Sequence, residues 1–334
     1  MRGFSTTPSG KWFVAVAVAL AIFVGASAAY AQGTWTTLAP VLPLPTEGMT
    51  VGGVGQVIIA AYGFSGVDTI LTRLYNISTN SWSLGMLAPL PPRSEEAYGE
   101  TTHGGFLYAI GGRNLLCSGP PLGVCNNLER YDPVTNTWAT LTPMLTARAG
   151  AAAAVLDDAI YVIGGRQIGG GPCSGLPLSV VERYDIDTDT WSTVASLPGP
   201  ARSDLAAVSH GGKIFVFGGC SGLFAVTGEV DMYDPQTNTW TTGLATMPTP
   251  RASLVAGKVG DTVFAIGGTT IGFDQVDVNE AYKISSNSWS TTPAPMPTPR
   301  SEAGVHSHGG RVYVVGGGNR GASTDANEVF KPNP

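Results

Sequence analysis

An apolar run ending in two adjacent glycines recurs along this chain at intervals of about 50 residues. An internal period of that length commits a chain to a stack of equal units. The run reads Phe106-Leu107-Tyr108-Ala109-Ile110-Gly111-Gly112 in one unit, and the glycine pair returns at Gly164-Gly165, Gly218-Gly219, Gly267-Gly268 and Gly316-Gly317. A first, degenerate unit offers Tyr62-Gly63. In the first five units a tyrosine follows and, seven positions later, a tryptophan: Tyr75 and Trp82, Tyr131 and Trp138, Tyr184 and Trp191, Tyr233 and Trp240, Tyr282 and Trp289.

Each unit holds four short extended runs divided by turn residues. The second run, such as Ile160-Tyr161-Val162-Ile163, is apolar at every position, which suits a strand covered on both faces. Before it stands a two-residue turn, Gly104-Gly105, Asp157-Asp158, Gly211-Gly212, Gly260-Asp261 or Gly309-Gly310, of the types that accept the positive φ of a tight hairpin. The double glycine then allows backbones to approach where units crowd. Segments such as Asp132-Pro133-Val134-Thr135-Asn136-Thr137 supply the second reversal. With 45 Gly, 24 Pro and 13% charged residues, the chain is expected to be all-β.

At the double glycine, the tyrosine and the tryptophan the sequence resembles the kelch-repeat family, and the likeness covers nearly all of residues 32–334. The resemblance implies a β-propeller of four-stranded blades, here six. Trp35 precedes the first full unit while the last unit ends at Val329-Phe330 without a tryptophan. Residues 33–39 are therefore expected to supply the fourth strand of the last blade, whose other strands run from about Arg300 to Lys331. The blades are expected at about 45–87, 93–145, 147–197, 201–247, 251–294 and 300–331 with 33–39.

Residues 1–31 read as a secretory signal peptide: Arg2 and Lys11, an apolar run from Trp12 to Gly25, then small residues ending in Ala29-Tyr30-Ala31. The run is shorter than the roughly 20 residues that span a bilayer, so no membrane span is expected after cleavage. Removing the two leader cations takes the formal net charge from −6 to −8, and the remaining cations are scattered, which argues against nucleic acid. Export places Cys117, Cys125, Cys173 and Cys220 where disulfides persist. Of the three possible pairings, Cys117 with Cys125 and Cys173 with Cys220 is preferred, because the first two share a loop and the others sit in corresponding loops of neighbouring units. Without Cys-x-x-Cys or a nearby histidine, zinc is disfavoured.

The loops between second and third strands, and those between units, open on one face. Those at about 113–128 and 166–180 are long and Gly-rich, the usual setting for binding residues. Near that face five units present an arginine: Arg93, Arg148, Arg202, Arg251 and Arg300; the first unit has Thr46 or Glu47 there. Glu95, Asp204 and Glu302 follow three of them at two positions' distance, a spacing that on a strand puts both on one face and predicts ion pairs beside the channel. The arginines either serve the repeat itself or grip an anionic ligand at the channel mouth. His103, His210 and His308 precede hairpin glycines on the other face and read as turn residues. His306 lies within a strand, and no spacing makes a metal site with it.

Among exported kelch propellers the resemblance points to two enzyme types. Galactose oxidase-like propellers hold copper with tyrosine and histidine on seven blades; six units and no histidine on the long-loop face depart from that pattern, and no cofactor is expected. N-acetylneuraminate epimerases are six-bladed and exchange sugar anomers with acid and arginine side chains. Anomer exchange needs a general acid and base near the ring oxygen, and Glu95, Glu302, Arg202 and Arg300 are the candidates for those parts. The expected function is an exported, non-catalytic, monomeric propeller binding a carbohydrate or protein partner, with Arg93, Arg148, Arg202, Arg251, Arg300, Glu47 and Asp204 as candidate ligand contacts. A sugar mutarotase is the alternative, and a carboxylate free of arginine in the channel mouth would favour it.

Overall fold

A computed structural model of the chain describes Gly3 and residues 33–95, 99–117, 123–167, 173–222, 225–272 and 274–333. The leader expected over residues 1–31 lies outside the described residues apart from Gly3.

Six antiparallel four-stranded sheets follow one another along the chain. Blade 1 is built from Thr50–Val54, Val57–Ala61, Thr72–Asn76 and Ser81–Leu84. Blade 3, with Ala152–Leu156, Ala159–Ile163, Val181–Asp185 and Thr190–Val194, shows the same order of strands. Blade 6 takes Gly304–His308, Arg311–Val315 and Asn327–Lys331 from the end of the chain and Thr34–Thr37 from its beginning, with Trp35 opposite Phe330. The protein is thus a six-bladed β-propeller closed as the tryptophan count predicts.

Six apolar clusters lie between consecutive blades, one per interface. Blade 3 meets blade 4 through Ala152, Tyr161, Ile163, Ala207 and Val216; blade 6 meets blade 1 through Val315, Tyr313, Val51 and Ile58. A blade alone leaves both faces uncovered, so each unit depends on its neighbours for burial.

The tyrosine and tryptophan face each other across strands three and four, their rings 5.0 to 5.1 Å apart. Each indole N–H also reaches the preceding blade: Trp240 donates to Ala195 O at 2.8 Å and Trp289 to Ala245 O at 2.7 Å. The tyrosine hydroxyl donates to a residue five positions on, as from Tyr233 to Asn238 Oδ1 at 2.7 Å, and the same oxygen accepts the Ala195 amide of the preceding blade. Asn238 has φ near 53°, a conformation asparagine tolerates. The motif is therefore a joint between blades.

Both glycines of each pair have positive φ. A Cβ on Gly164 would stand 2.4 Å from Arg202 O of the next blade, so no larger residue fits without moving that backbone.

Trp35 packs on Phe330 at 5.1 Å and donates to Ala294 O at 2.9 Å. Because Trp35 is only half-buried, Trp35→Ala is expected to cost about 2 kcal/mol, below the range for fully buried tryptophan, read as a lower urea midpoint with an unchanged slope.

Candidate functional site at the channel mouth

Where each blade begins, one residue adopts the left-handed conformation: Gly48 (φ 61°), Glu95 (53°), Gly150 (59°), Asp204 (56°), Ser253 (50°) and Glu302 (52°). Their peptide groups form a closed ring. The amide of Glu95 donates to Gly48 O, Gly150 to Glu95 O, Asp204 to Gly150 O, Ser253 to Asp204 O, Glu302 to Ser253 O and Gly48 to Glu302 O, at 2.6 to 3.0 Å. A non-glycine residue at positive φ is strained by roughly 1–3 kcal/mol unless its surroundings over-determine it. Here two ring bonds at every residue do so, and the side chains of the ring gather at the channel mouth.

This conformation overturns the pairing expected from spacing. Residues two apart share a face only on a strand, and the turn at Glu95, Asp204 and Glu302 sends each carboxyl away from the arginine before it. The five arginines lie within their own blades, 0–1% exposed. Arg93 pairs with Glu129, Arg148 with Glu182, Arg202 with Asp231, Arg251 with Glu280 and Arg300 with Glu328, each acid being the second residue of the third strand. These guanidiniums fill the blade interior beneath the ring, which is the structural role weighed above.

Blade 1 reverses the polarity. Thr46, rather than Glu47, takes the arginine's place, and Arg73 on the third strand supplies the guanidinium, donating to Thr46 Oγ1 at 2.9 Å and to Tyr62 O at 3.2 Å. Burial lowers the Arg73 pKa to about 10. Every blade thus keeps one guanidinium between the start of its first strand and its third strand, and the expected ring of five cations broken by a carboxylate is replaced by these six interior arginines.

The mouth has two other arginines, those that follow the double glycines of blades 2 and 3. Arg166, 1% exposed, is held between Glu95 and Asp204. Arg113 reaches Glu95 Oε1 through Nε at 2.7 Å. Asp204 also accepts from the Cys173 amide at 2.8 Å and from Ser203 Oγ at 2.7 Å.

Glu302 and Glu47 differ. Neither carboxyl makes a side-chain hydrogen bond or ion pair with the described residues, and both keep part of their surface open. Enclosure by protein pushes the Glu302 pKa up to about 8, helped by the charges of Glu47 and Asp204 and opposed by Arg166 and Arg113. Glu47 is raised by burial, against the pull of Arg113. Among the described residues four carboxyls and two guanidiniums therefore share the mouth, Arg113 engaged by Glu95 and Arg166 by Glu95 and Asp204.

Beneath the mouth, Val51, Leu254, Val255 and Val305 are among the residues that narrow the channel. At its far end lies a cavity of about 340 Å³ with Lys258, Ser209, Ser307 and Glu100 among its walls. Three histidines serve blade contacts, His103 Nε2 meeting Asp158 at 2.9 Å, His210 meeting Asp261 at 3.4 Å and His308 Nε2 meeting Gln56 Nε2 at 3.1 Å, while the His306 and His308 rings stack within one strand at 5.9 Å. Cys117 and Cys125, and Cys173 and Cys220, lie at disulfide distance with Cα separations of 5.2 and 5.3 Å. Asp204 stands against the second pair, whose sulfurs bond each other rather than an ion. Among the described residues no helix is long and apolar enough to cross a membrane.

A six-bladed propeller whose blades carry the glycine pair, the tyrosine and the tryptophan defines a class, and comparison with known proteins agrees. Residues 101–317 match the KLHDC2/KLHL20/DRC7 Kelch-repeats domain, and the chain belongs to the kelch-repeat family. Human Kelch-like protein 25 is 35% identical over 153 residues, 45% of this chain and 25% of that protein. Human Kelch-like protein 23 is 30% identical over 174 residues, 52% of this chain and 29% of that protein. The chain thus spans between a quarter and a third of the length of these curated relatives. The solved structure of YjhT superposes with a TM-score of 0.73 at 17% identity, covering 87% of this chain and 95% of that one, a likeness of fold.

Proposed function

We propose that the chain is exported, with residues 1–31 as a cleaved leader, and acts as a monomeric, non-catalytic module that binds a carbohydrate or protein partner on its long-loop face. The observation that carries this reading is the channel mouth: charged side chains fixed by a closed backbone ring, surrounded by loops that the two cysteine pairs brace. Rigid presentation of polar groups lowers the ordering cost of binding, and cysteine pairs fit an oxidising compartment. Kelch domains commonly serve as protein-interaction modules, and the chain carries such a domain over residues 101–317.

One observation favours the second reading, a sugar mutarotase. Of the four residues to which the epimerase resemblance points, Glu302 has an unpaired carboxyl, and a pKa near 8 suits a group that gives and takes a proton near neutrality. Arg202 and Arg300 are committed to Asp231 and Glu328, and Glu95 to Arg113 and Arg166. A sugar carboxylate would instead meet Arg113, whose side chain is 30% exposed.

Proton NMR of the purified protein with freshly dissolved acidic and neutral sugars separates the readings. Line broadening without faster anomer exchange is the result expected of a binding module. Exchange that accelerates and then disappears in Glu302→Gln would establish the mutarotase in its place.

A further inference from the structure

The exposed apolar side chains are unevenly shared between the two faces. Of the thirteen large ones among the described residues, Val134 alone sits in a turn on the far face. The others belong to connections on the mouth side or, for Leu84, to a strand end that reaches it. The loops between second and third strands display Val67 (70% exposed), Leu115 (91%), Leu116 (71%), Leu176 (62%) and Ile271 (73%). The mouth face thus offers a partner more aliphatic surface to cover than the far face does.

Two features say what the partner presents. Among the described residues the large exposed apolar side chains are all aliphatic, and such side chains suit a protein's apolar residues. The mouth they surround keeps two carboxyls, Glu47 and Glu302, without a cation of their own, because Arg113 and Arg166 are held by Glu95 and Asp204. Ser253 adds a separate sign of a missing ligand group: its hydroxyl is buried, 1% exposed, and lacks a hydrogen-bond partner. Its ring position is equivalent to that of Gly150, where a Cβ would point at the Arg166 and Asp204 heads. By the same geometry the Ser253 side chain is aimed toward Glu302, the next residue of the ring.

We propose that the mouth face docks a protein segment that inserts one lysine or arginine side chain beside Glu47 and Glu302, while aliphatic residues on either side of it settle on the rim formed by Val67, Leu115, Leu116, Leu176 and Ile271. This rests on the binding-module reading and narrows its partner to a protein segment, apolar with one basic residue at its centre. An ammonium or guanidinium there restores the missing charge and offers Ser253 Oγ a donor. It also draws Glu302 into its ionised form, so binding below pH 8 releases a proton. The other charges facing Glu302, those of Glu47, Asp204, Arg166 and Arg113, are already in place.

The test uses the purified full chain and two fluorescein-labelled peptides, one with a single lysine between two pairs of leucines and its twin with glutamate in the lysine's place. The lysine peptide is expected to bind at least about tenfold more tightly by anisotropy. That preference should vanish in the Glu47→Gln/Glu302→Gln double variant, and both peptides should weaken in Leu115→Asp/Leu116→Asp, a change confined to exposed loop positions. Equal binding of the two peptides, or preference for the glutamate twin, overturns the proposal. Binding of neither peptide while sugar resonances broaden also overturns it and leaves the module reading standing; failure of both probes removes the two together.

Discussion

Arg148→Met is expected to destabilise the protein by about 3–5 kcal/mol, the usual cost of removing one member of a buried ion pair. Both side chains of the Arg148–Glu182 pair are 0% exposed. The guanidinium also donates to Gly164 O at 3.0 Å and Val180 O at 2.9 Å, stitching the start of blade 3 to its second and third strands. Its loss leaves an uncompensated carboxylate and takes the side-chain donor from Gly164 O, while Val180 O keeps only the Gly164 amide at 3.0 Å. The urea midpoint should fall sharply, and Arg148→Met/Glu182→Leu should recover most of the loss, because apolar replacement of both members is often neutral. Blade 1 already shows that the guanidinium can do without an acid, since a hydroxyl and a carbonyl hold Arg73. If the single variant kept its midpoint, the arginines would not be the struts of the blades.

Glu302 is expected to make stability fall as pH rises. Its carboxyl keeps its proton to about pH 8 in the folded chain, against a reference value of 4.5. Between those values the folded form binds more protons than the unfolded one, so stability falls with increasing pH across that interval and levels off above pH 8. The slope cannot exceed about 1.4 kcal/mol per pH unit for one group. Water reaching the mouth reduces the effect to a total of roughly 2–3 kcal/mol. Glu302→Gln removes the ionisation, and the variant should gain on the parent as unfolding is compared at pH 5, 7 and 9. Parallel curves for the two proteins would place the Glu302 carboxyl in ordinary contact with solvent.

The architecture was legible because its signals recur: glycine pair, hairpin turn, tyrosine and tryptophan repeat in phase, and the unmatched Trp35 revealed how the ring closes. The candidate site was legible only in part. Glu47, Glu95, Asp204 and Glu302 were singled out and share the mouth, yet their partners were misassigned, because strand alternation was applied at positions where the backbone turns left-handed. The arginines' true partners lie roughly 30 residues on, in another strand, and only the acid recurring second in strand three hinted at them. Arg73 was detectable as the one base in that column, opposite the one unit without an arginine at its start. Arg113 and Arg166 escaped notice because the position after the double glycine varies, with Phe64, Cys220, Thr269 and Gly318 in the other blades.

The strand Thr34–Thr37 finds its partner only in Asn327–Lys331, almost 300 residues further along. During synthesis the earliest strand of the propeller is thus the last to be paired. Five blades can condense in order from local hairpins, but the ring stays open until the final strand has emerged, and such distant closure is slow. Meanwhile blade 6 lacks its outer strand and blade 1 lacks a neighbour on one side, the unpaired edge and bare apolar face that promote association between half-made chains. Refolding yield should therefore depend on protein concentration more steeply than native stability would suggest.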